Sequence, residues 1–395
     1  MDRRFEDRLN PRVIGLMSGT SADGIDAVLL EFPGFPELGS NAKPPLLEEF
    51  SVPRVKVLEH SHTPYSDGLR KAVLDAMRGE MRTADLVQLH FALGSAYATA
   101  AKPFAKAAQL VSSHGQTVFH IPRLDETRGW HTRATLQLGE SSVIAEETGL
   151  PVIADFRPAD LVAGGQAAPL VPFADRVIFA ENGVRRAIHN LGGISNLTYL
   201  PGLELENVIA FDTGPANCLI DEAAGLFKKR YDKNGEIAAG GKIEKGLLEV
   251  WLRNAYLEMS PPKSTGREVW NLQNLAGVFE LAPQDIVSSV TAFSAQTIVE
   301  AYRRFVPTDL DEVIVAGGGA FNPILMQAMR DQLSGIVMTL EESRFAKYGL
   351  NSSTREAAAF AVLGYYAFQG WANTIPHTTG ARHAVIAGKL TRTIQ

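Results

Sequence analysis

The residues of this chain able to do chemistry are carboxylates and glycine turns placed at the ends of apolar runs. Asp212 follows Val208-Ile209-Ala210-Phe211 and precedes Thr213-Gly214-Pro215-Ala216-Asn217. The run before it reads as a strand, and residues 217–224 read as a helix. A carboxylate at the carboxyl end of a strand lies where open α/β sheets bind ligands. Facing a phosphate donor, it is the right group to take a proton from a nucleophile. An Asx-type turn ahead of Gly-Pro would use the same residue without chemistry.

Three glycine-bearing loops are candidates for binding a nucleotide. The first is Met17-Ser18-Gly19-Thr20-Ser21-Ala22-Asp23-Gly24-Ile25-Asp26. The amides and hydroxyls of Gly19, Thr20 and Ser21 offer a concave donor set to anionic oxygens. Asp23 and Asp26 can hold magnesium, which keeps several waters and takes one or two carboxylates; turn capping is their plain alternative. The second loop is Asn190-Leu191-Gly192-Gly193, again between two apolar runs. The third, Gly317-Gly318-Gly319 with Asn322, follows Glu312-Val313-Ile314-Val315-Ala316 and lets the backbone approach a flat ligand such as adenosine.

Polar residues near strand ends are candidates for contacting a substrate. His114 and Gln116 lie in Ser113-His114-Gly115-Gln116-Thr117, with His120 six positions after His114. No Cys, Asp or Glu stands at ligand spacing, which disfavours zinc and favours hydrogen bonds to a substrate. Arg157, after the short strand Pro151-Val152-Ile153-Ala154, suits bidentate recognition of an acidic sugar or a surface ion pair. Gln166 sits in the tight loop Gly164-Gly165-Gln166-Ala167-Ala168-Pro169. Pro261 to Glu268 reads as a solvated charge cluster, and Glu356 as a first-turn residue of an Ala-rich helix.

The elements that must position these residues alternate between strands and helices, which predicts an α/β fold. Residues 13–30 read as a hairpin, and 66–107 as two helices with apolar positions such as Leu69, Val73, Leu74, Leu86, Leu89 and Leu93. Residues 32–45, rich in Pro and Gly, read as a surface excursion. From Ala187 the strand, glycine turn, strand order begins again, which places a domain boundary near residue 185. At 395 residues two domains are the natural division. A net charge of −6 leaves no basic surface for holding nucleic acid. The single cysteine, Cys218, excludes an internal disulfide framework and fits a reducing, cytoplasmic compartment. The polar start shows no secretory pattern, and no apolar run is long enough for a membrane span.

Taken in order, these segments resemble the anhydro-N-acetylmuramic acid kinase family. The matching stretches are Gly15 to Ser21 with Asp23 to Asp26, Ser113 to Thr117, Ala154 to Arg157 and Gly164 to Gln166. They continue with Asn190 to Asn196, Phe211 to Pro215, Lys263 to Glu268 and Gly317 to Asn322. The resemblance implies two actin-like (ribonuclease H-like) α/β domains, 1–185 and 186–395, with an ATP cleft between them and the last helices free to pack back on the first. It implies a kinase that opens the 1,6-anhydro ring of anhydro-N-acetylmuramic acid and phosphorylates O6 in peptidoglycan recycling. ATP and Mg2+ would be its cofactors, a small sugar its partner, and a homodimer is compatible with it. Asp212 matches the family's base, which would activate a water. The nucleotide would be held by Gly19, Thr20, Ser21, Asp23, Gly24, Ile25, Asp26, Asn190, Gly192, Gly193, Gly317, Gly318, Gly319 and Asn322. His114, Gln116, Arg157 and Gln166 would hold the sugar, and Asp23, Asp212 and Glu356 the metal. Two positions depart from the family pattern, Ala167 and Ala216, each standing for a glycine; alanine is strained at either one if its φ is positive. The alternatives are a kinase for another anhydro sugar such as levoglucosan, and a non-catalytic actin-like nucleotide-binding module. The absence of a substrate domain after the C-terminal helices speaks against the module.

Overall fold

The computed structural model describes residues 10–392 apart from Thr20, Arg123, Asp125, Glu126, Arg128 and Ser334. Its first strands are β1 (Arg12–Met17), β2 (Gly24–Glu31), β3 (Lys56–Pro64), β4 (Leu110–Ser113), β5 (Gln116–Ile121), β6 (Ala134–Leu138) and β7 (Val152–Ala154). The remainder are β8 (Arg186–Leu191), β9 (Ile194–Leu200), β10 (Ile209–Pro215), β11 (Glu312–Ala316), β12 (Ile336–Thr339) and β13 (Lys389–Thr391). Two compact units are formed, Met1–Phe179 with Phe345–Gln395, and Ala180–Arg344.

In the first unit the sheet order is β13-β7-β4-β1-β2-β3. β1, β2 and β3 are antiparallel neighbours, β4 runs parallel to β1, and β7 parallel to β4. Alternating apolar residues put Ile14, Leu16 and Leu29 into a core with Leu89, Leu93 and Tyr97 of helix Thr83–Ala101. Helix Asp67–Met77 begins at Ser66, whose hydroxyl accepts the Leu69 N–H at 3.3 Å. Helix Arg355–Phe368 lies directly on β1 and β4. Gly15 permits that approach, since a Cβ there would stand 2.0 Å from the Ala357 carbonyl oxygen. This docking fixes the helix start that carries Glu356. β5 and β6 form a separate two-stranded hairpin, where the sequence suggested only a polar loop.

In the second unit the order is β10-β9-β8-β11-β12. Three antiparallel strands are again followed by two parallel ones, so β8, β9, β10, β11 and β12 repeat the places of β1, β2, β3, β4 and β7. That repetition is the duplicated actin-like architecture the sequence led us to expect. Helix Pro283–Phe305 buries Ile286, Val290, Phe293 and Ile298 at helical spacing against a core that includes Phe211, Trp251 and Trp270. No helix among the described residues is long and apolar enough to cross a membrane.

Candidate active site

In the first unit, the turn between β1 and β2 is pinned from below. Ser18 Oγ donates to Gln116 Oε1 at 2.7 Å, the Tyr65 hydroxyl donates to Ser18 Oγ at 3.0 Å, and Gln116 Nε2 donates to the Gly19 carbonyl at 3.2 Å. Gln116 is 0% exposed, so the amide expected to meet a sugar is committed to holding the turn. Ser21 Oγ donates to Asp23 Oδ1 at 2.9 Å on the exposed rim of that turn. Thr20 lies outside the described residues. Gly24 and Ile25 begin β2, and the Ile25 side chain belongs to the core and does not face a ligand. Asp26 has His62 Nδ1 at 2.9 Å and His60 Nε2 at 3.5 Å.

Glu356 stands in the first turn of its helix, where burial, with help from Asp26 and Asp175, raises its pKa against the opposing pull of Arg355 and Arg157. Arg355 is held by Asp175 in a buried two-point ion pair at 2.6 and 3.2 Å, which fixes the helix start. Arg157 donates to His114 Nε2 at 2.9 Å and to the Ala167 carbonyl, and burial lowers its pKa to about 10. A nitrogen that accepts from a guanidinium carries no proton, so His114 is the neutral imidazole protonated on Nδ1. Burial first, and Arg157 second, press its pKa far below the usual value. Burial likewise lowers His120 to about 4.

Beside Arg157, whose charge His114 and His120 both feel, buried polar atoms find no hydrogen-bond partner: His114 Nδ1, His120 Nε2 and Arg157 Nε, with Ser113 Oγ on the neighbouring residue and Gln137 Oε1 on β6. Such a concentration of unmet donors and acceptors marks a place for a hydroxyl-rich ligand or ordered water. Gln166 is partly exposed beside it, its N–H donating to the Thr379 carbonyl at 2.8 Å. Asp160, which no sequence pattern marks, shapes this loop by accepting from the Ala167 N–H at 2.7 Å and Thr379 Oγ1 at 2.8 Å. Its partner Thr379 lies far along the chain, beyond any local pattern.

In the second unit, the Gly192–Gly193 turn points its carbonyls at the start of helix Asn217–Gly225. Gly193 accepts from the N–H groups of Ala216 and Cys218 at 3.0 Å each, and Gly192 from Asn217 N and Nδ2 at 3.0 and 2.9 Å. Gly317 has φ +87°, and a Cβ there would stand 2.7 Å from Asn190 Oδ1 and 2.8 Å from the Leu191 carbonyl oxygen. The close seating of the Gly317 to Gly319 loop on Asn190 and Leu191 therefore requires glycine at 317. Asn322 is buried, and its side chain caps helix Pro323–Gln332 by accepting the Ile324 N–H at 3.0 Å. Asn322 Oδ1 is thereby committed to the helix start.

β10 runs on to Pro215, so Asp212 lies half-buried in mid-strand, just before the bulge, and not at the strand end that the sequence predicts. Its Oδ2 accepts the Thr265 N–H at 2.9 Å, its N–H donates to the Lys263 carbonyl at 3.2 Å, and the Tyr256 hydroxyl donates to its carbonyl at 2.7 Å. Burial pushes its pKa up to about 7; Glu268 adds to the rise, while the Thr265 N–H and the Lys263 charge oppose it. A carboxylate poised there is a base at neutral pH. The segment that holds it corrects the reading of 261–268 as a solvated cluster. Lys263 is 2% exposed, with Nζ donating to the Tyr256 and Leu257 carbonyls at 3.2 and 3.3 Å and lying 4.6 Å from the centre of the Phe305 ring. Arg267 and Glu268 are exposed as expected.

Asp23 and Glu356 belong to the first unit and Asp212 to the second. Among the described residues no three His, Cys, Asp or Glu side chains gather as metal ligands.

The family described as anhydro-N-acetylmuramic acid kinase matches residues 11–393. A protein of that name from Caldanaerobacter subterraneus subsp. tengcongensis is 39% identical, covering 99% of this chain and 100% of its own length. One of the same name from Bacillus cereus is 36% identical, with 96% and 98% covered. Among solved structures, a ROK family glucokinase from Streptomyces griseus in complex with glucose and AMPPNP is 11% identical, covers 89% of this chain and 99% of its own, and has a TM-score of 0.37.

Proposed function

The chain belongs to the anhydro-N-acetylmuramic acid kinase family, and from that premise we propose how its own residues carry the reaction. It is a carbohydrate kinase that phosphorylates anhydro-N-acetylmuramic acid in cell-wall recycling, and the family implies ATP as donor. Asp212 takes a proton from water as the water oxygen bonds to the anomeric carbon. The electron pair of the bond between that carbon and O6 passes to O6, which takes the γ-phosphoryl group as ADP leaves. The product is N-acetylmuramic acid 6-phosphate.

The observation that carries this reading is the state of Asp212. A carboxylate beside the β10 bulge with a pKa of about 7, aimed by one backbone N–H, is half ionised near neutrality and needs no further activation. Arg157, with the unmet polar atoms of Ser113, His114, His120 and Gln137, suits the acidic and hydroxyl groups of the sugar. The turn carrying Gly19 and Ser21 suits phosphate oxygens, and Asn190, Gly192, Gly193 and the Gly317 to Gly319 loop suit the nucleotide. Glu356 carries a carboxylate disfavoured as an anion by burial and by Asp26, a condition that a cation relieves. Together with Asp23 it would hold magnesium, which would neutralise charge on the transferred phosphoryl group.

Release of ADP in a coupled assay tests the sugar assignment. Anhydro-N-acetylmuramic acid should exceed levoglucosan in kcat/KM by about 10^3, because unmet buried polar groups penalise a substrate that lacks their partners. Equal turnover of the two sugars would replace the assignment with a general anhydro-sugar kinase, and ATP binding without sugar-dependent ADP release would favour a non-catalytic module.

A further inference from the structure

Thr213, the residue after the base, sits in an irregularity of β10. Asp212 pairs with Asn196 and Gly214 with Ser195, so Thr213 is the extra residue of a β-bulge. A bulge re-aims the side chains beside it, and a shift of one residue sends a side chain to the opposite face of the sheet. Thr213 is 1% exposed, and its hydroxyl lies 2.6 Å from Ser195 Oγ and 3.3 Å from the Ser195 carbonyl oxygen. Ser195 Oγ is 2.7 Å from His189 Nε2, and His189 Nδ1 is 3.0 Å from the Tyr302 hydroxyl. The line crosses β10, β9 and β8 and ends on helix Pro283–Phe305. One order of protons satisfies these links: Thr213 donates to Ser195, Ser195 to Nε2, and Nδ1–H to Tyr302.

Close packing does not hold the bulge on every side. Thr213 also borders a cavity of about 150 Å³ lined by Leu252, Leu257, Thr297, Ala301 and Arg304. With that flank open, the hydroxyl contacts are the directional restraint on Thr213. We propose that Thr213 is a positioning residue: its hydroxyl, anchored through Ser195 and His189 to Tyr302, fixes the register of the bulge and so the aim of the Asp212 carboxylate. The role rests on Asp212 being the base, and Thr213 acts only through it.

Thr213→Val keeps the shape and removes the donor. Its kcat should fall at least about tenfold with both KM values within about threefold, the pattern of a lost transition-state interaction. Thr213→Ser should return kcat to within about threefold of the parent. In an Asp212→Asn background Thr213→Val should cost nothing further, because a residue that acts through the base has nothing left to aim. Unchanged kcat in Thr213→Val, equal impairment in Thr213→Ser, or an undiminished loss in the Asp212→Asn background would each overturn the proposal. If circular dichroism shows Thr213→Val unfolded, Ser195→Ala removes the acceptor instead and is read the same way. Full activity in Asp212→Asn alone would overturn the base reading, whereas an inactive Asp212→Asn with a normal Thr213→Val would overturn only the positioning role.

Discussion

β3 and β10 occupy the same place in the two repeated sheets, and they carry different chemistry. β3 sets His60 and His62 against Asp26 on β2, and its own irregularity lies at Leu58, opposite Leu29 and Leu30 and away from the turn. β10 is bulged at the ligand end and presents Asp212 itself, with a main-chain N–H as its partner. One carboxylate is given imidazole neighbours, and the other is given burial and a single amide. The shared topology therefore supplies a location, while local desolvation at Asp212 lets that carboxylate exchange a proton near neutral pH.

The largest test of that contrast is to remove each carboxylate charge in turn. Asp212→Asn should lower kcat by about 10^3 while leaving ATP affinity within about threefold, as expected for a lost general base. Asp26→Asn should act mainly on KM for ATP and cost kcat about tenfold at most. Steady-state kinetics with isothermal titration of ATP separates the two. Equal losses of kcat would erase the distinction between the strands.

Next in size is the pH profile. A base must be ionised to act, so kcat/KM should rise with pH through the Asp212 pKa of about 7 and then level off. At pH 6 the rate should stand about tenfold below the plateau, one logarithmic unit per pH unit below the pKa. A flat profile between pH 5 and 8 would remove Asp212 from the role.

The same burial has a cost in stability. The folded pKa of Asp212 is raised, so the folded state binds the proton more tightly than the unfolded chain does. Stability should be fully present below the ordinary carboxylate pKa and fall as pH rises through about 7. A rise from the ordinary carboxylate value to about 7 sets an upper figure of roughly 4 kcal/mol, at about 1.36 kcal/mol per pH unit. Asp212→Asn should therefore raise the unfolding midpoint at pH 8 by denaturant titration and leave it unchanged at pH 4. A variant less stable at pH 8 would mean that the charged form is better solvated than its burial implies.

How much was legible in advance follows the range of the interactions. Two glycine turns and their flanking strands are local patterns, and the structure has them where the sequence puts them, whereas β10 continues past Asp212 to Pro215 through a bulge that no local pattern announces. The partners of Asp212 are not local: Tyr256 and Thr265 lie more than forty residues away and meet it only after folding. Gln116 and Asn322 sit in motifs that look like ligand contacts, yet one amide pins a turn and the other caps a helix. Polar residue type fixes what a side chain can bond, and packing fixes what it does bond. Lys263 makes the same point, since nothing in Pro-Pro-Lys-Ser distinguishes a solvated ammonium from one enclosed by aromatic rings.

The smallest test compares the two alanines that stand where the resemblance implies glycine, one in each unit. Ala167 has φ +55° and is fully buried, its N–H held by Asp160 and its carbonyl by Arg157. Ala216 has φ −126° and ψ −103°, outside the left-handed region, and its carbonyl accepts Ser294 Oγ at 3.1 Å just before its helix. Glycine at 167 relieves about 1–2 kcal/mol of left-handed strain. It gives back about 0.5–1 kcal/mol in chain entropy and about 0.8 kcal/mol in methyl burial. Ala167→Gly should therefore be close to neutral. Ala216→Gly has no left-handed strain to relieve and should cost about 1–2 kcal/mol from the same two losses. Urea titration of both variants reads the difference directly. An equal cost at the two sites would mean that the loop at 167 accommodates its methyl without strain, and that the hydrogen bonds from Asp160 and Arg157 hold a conformation alanine already tolerates.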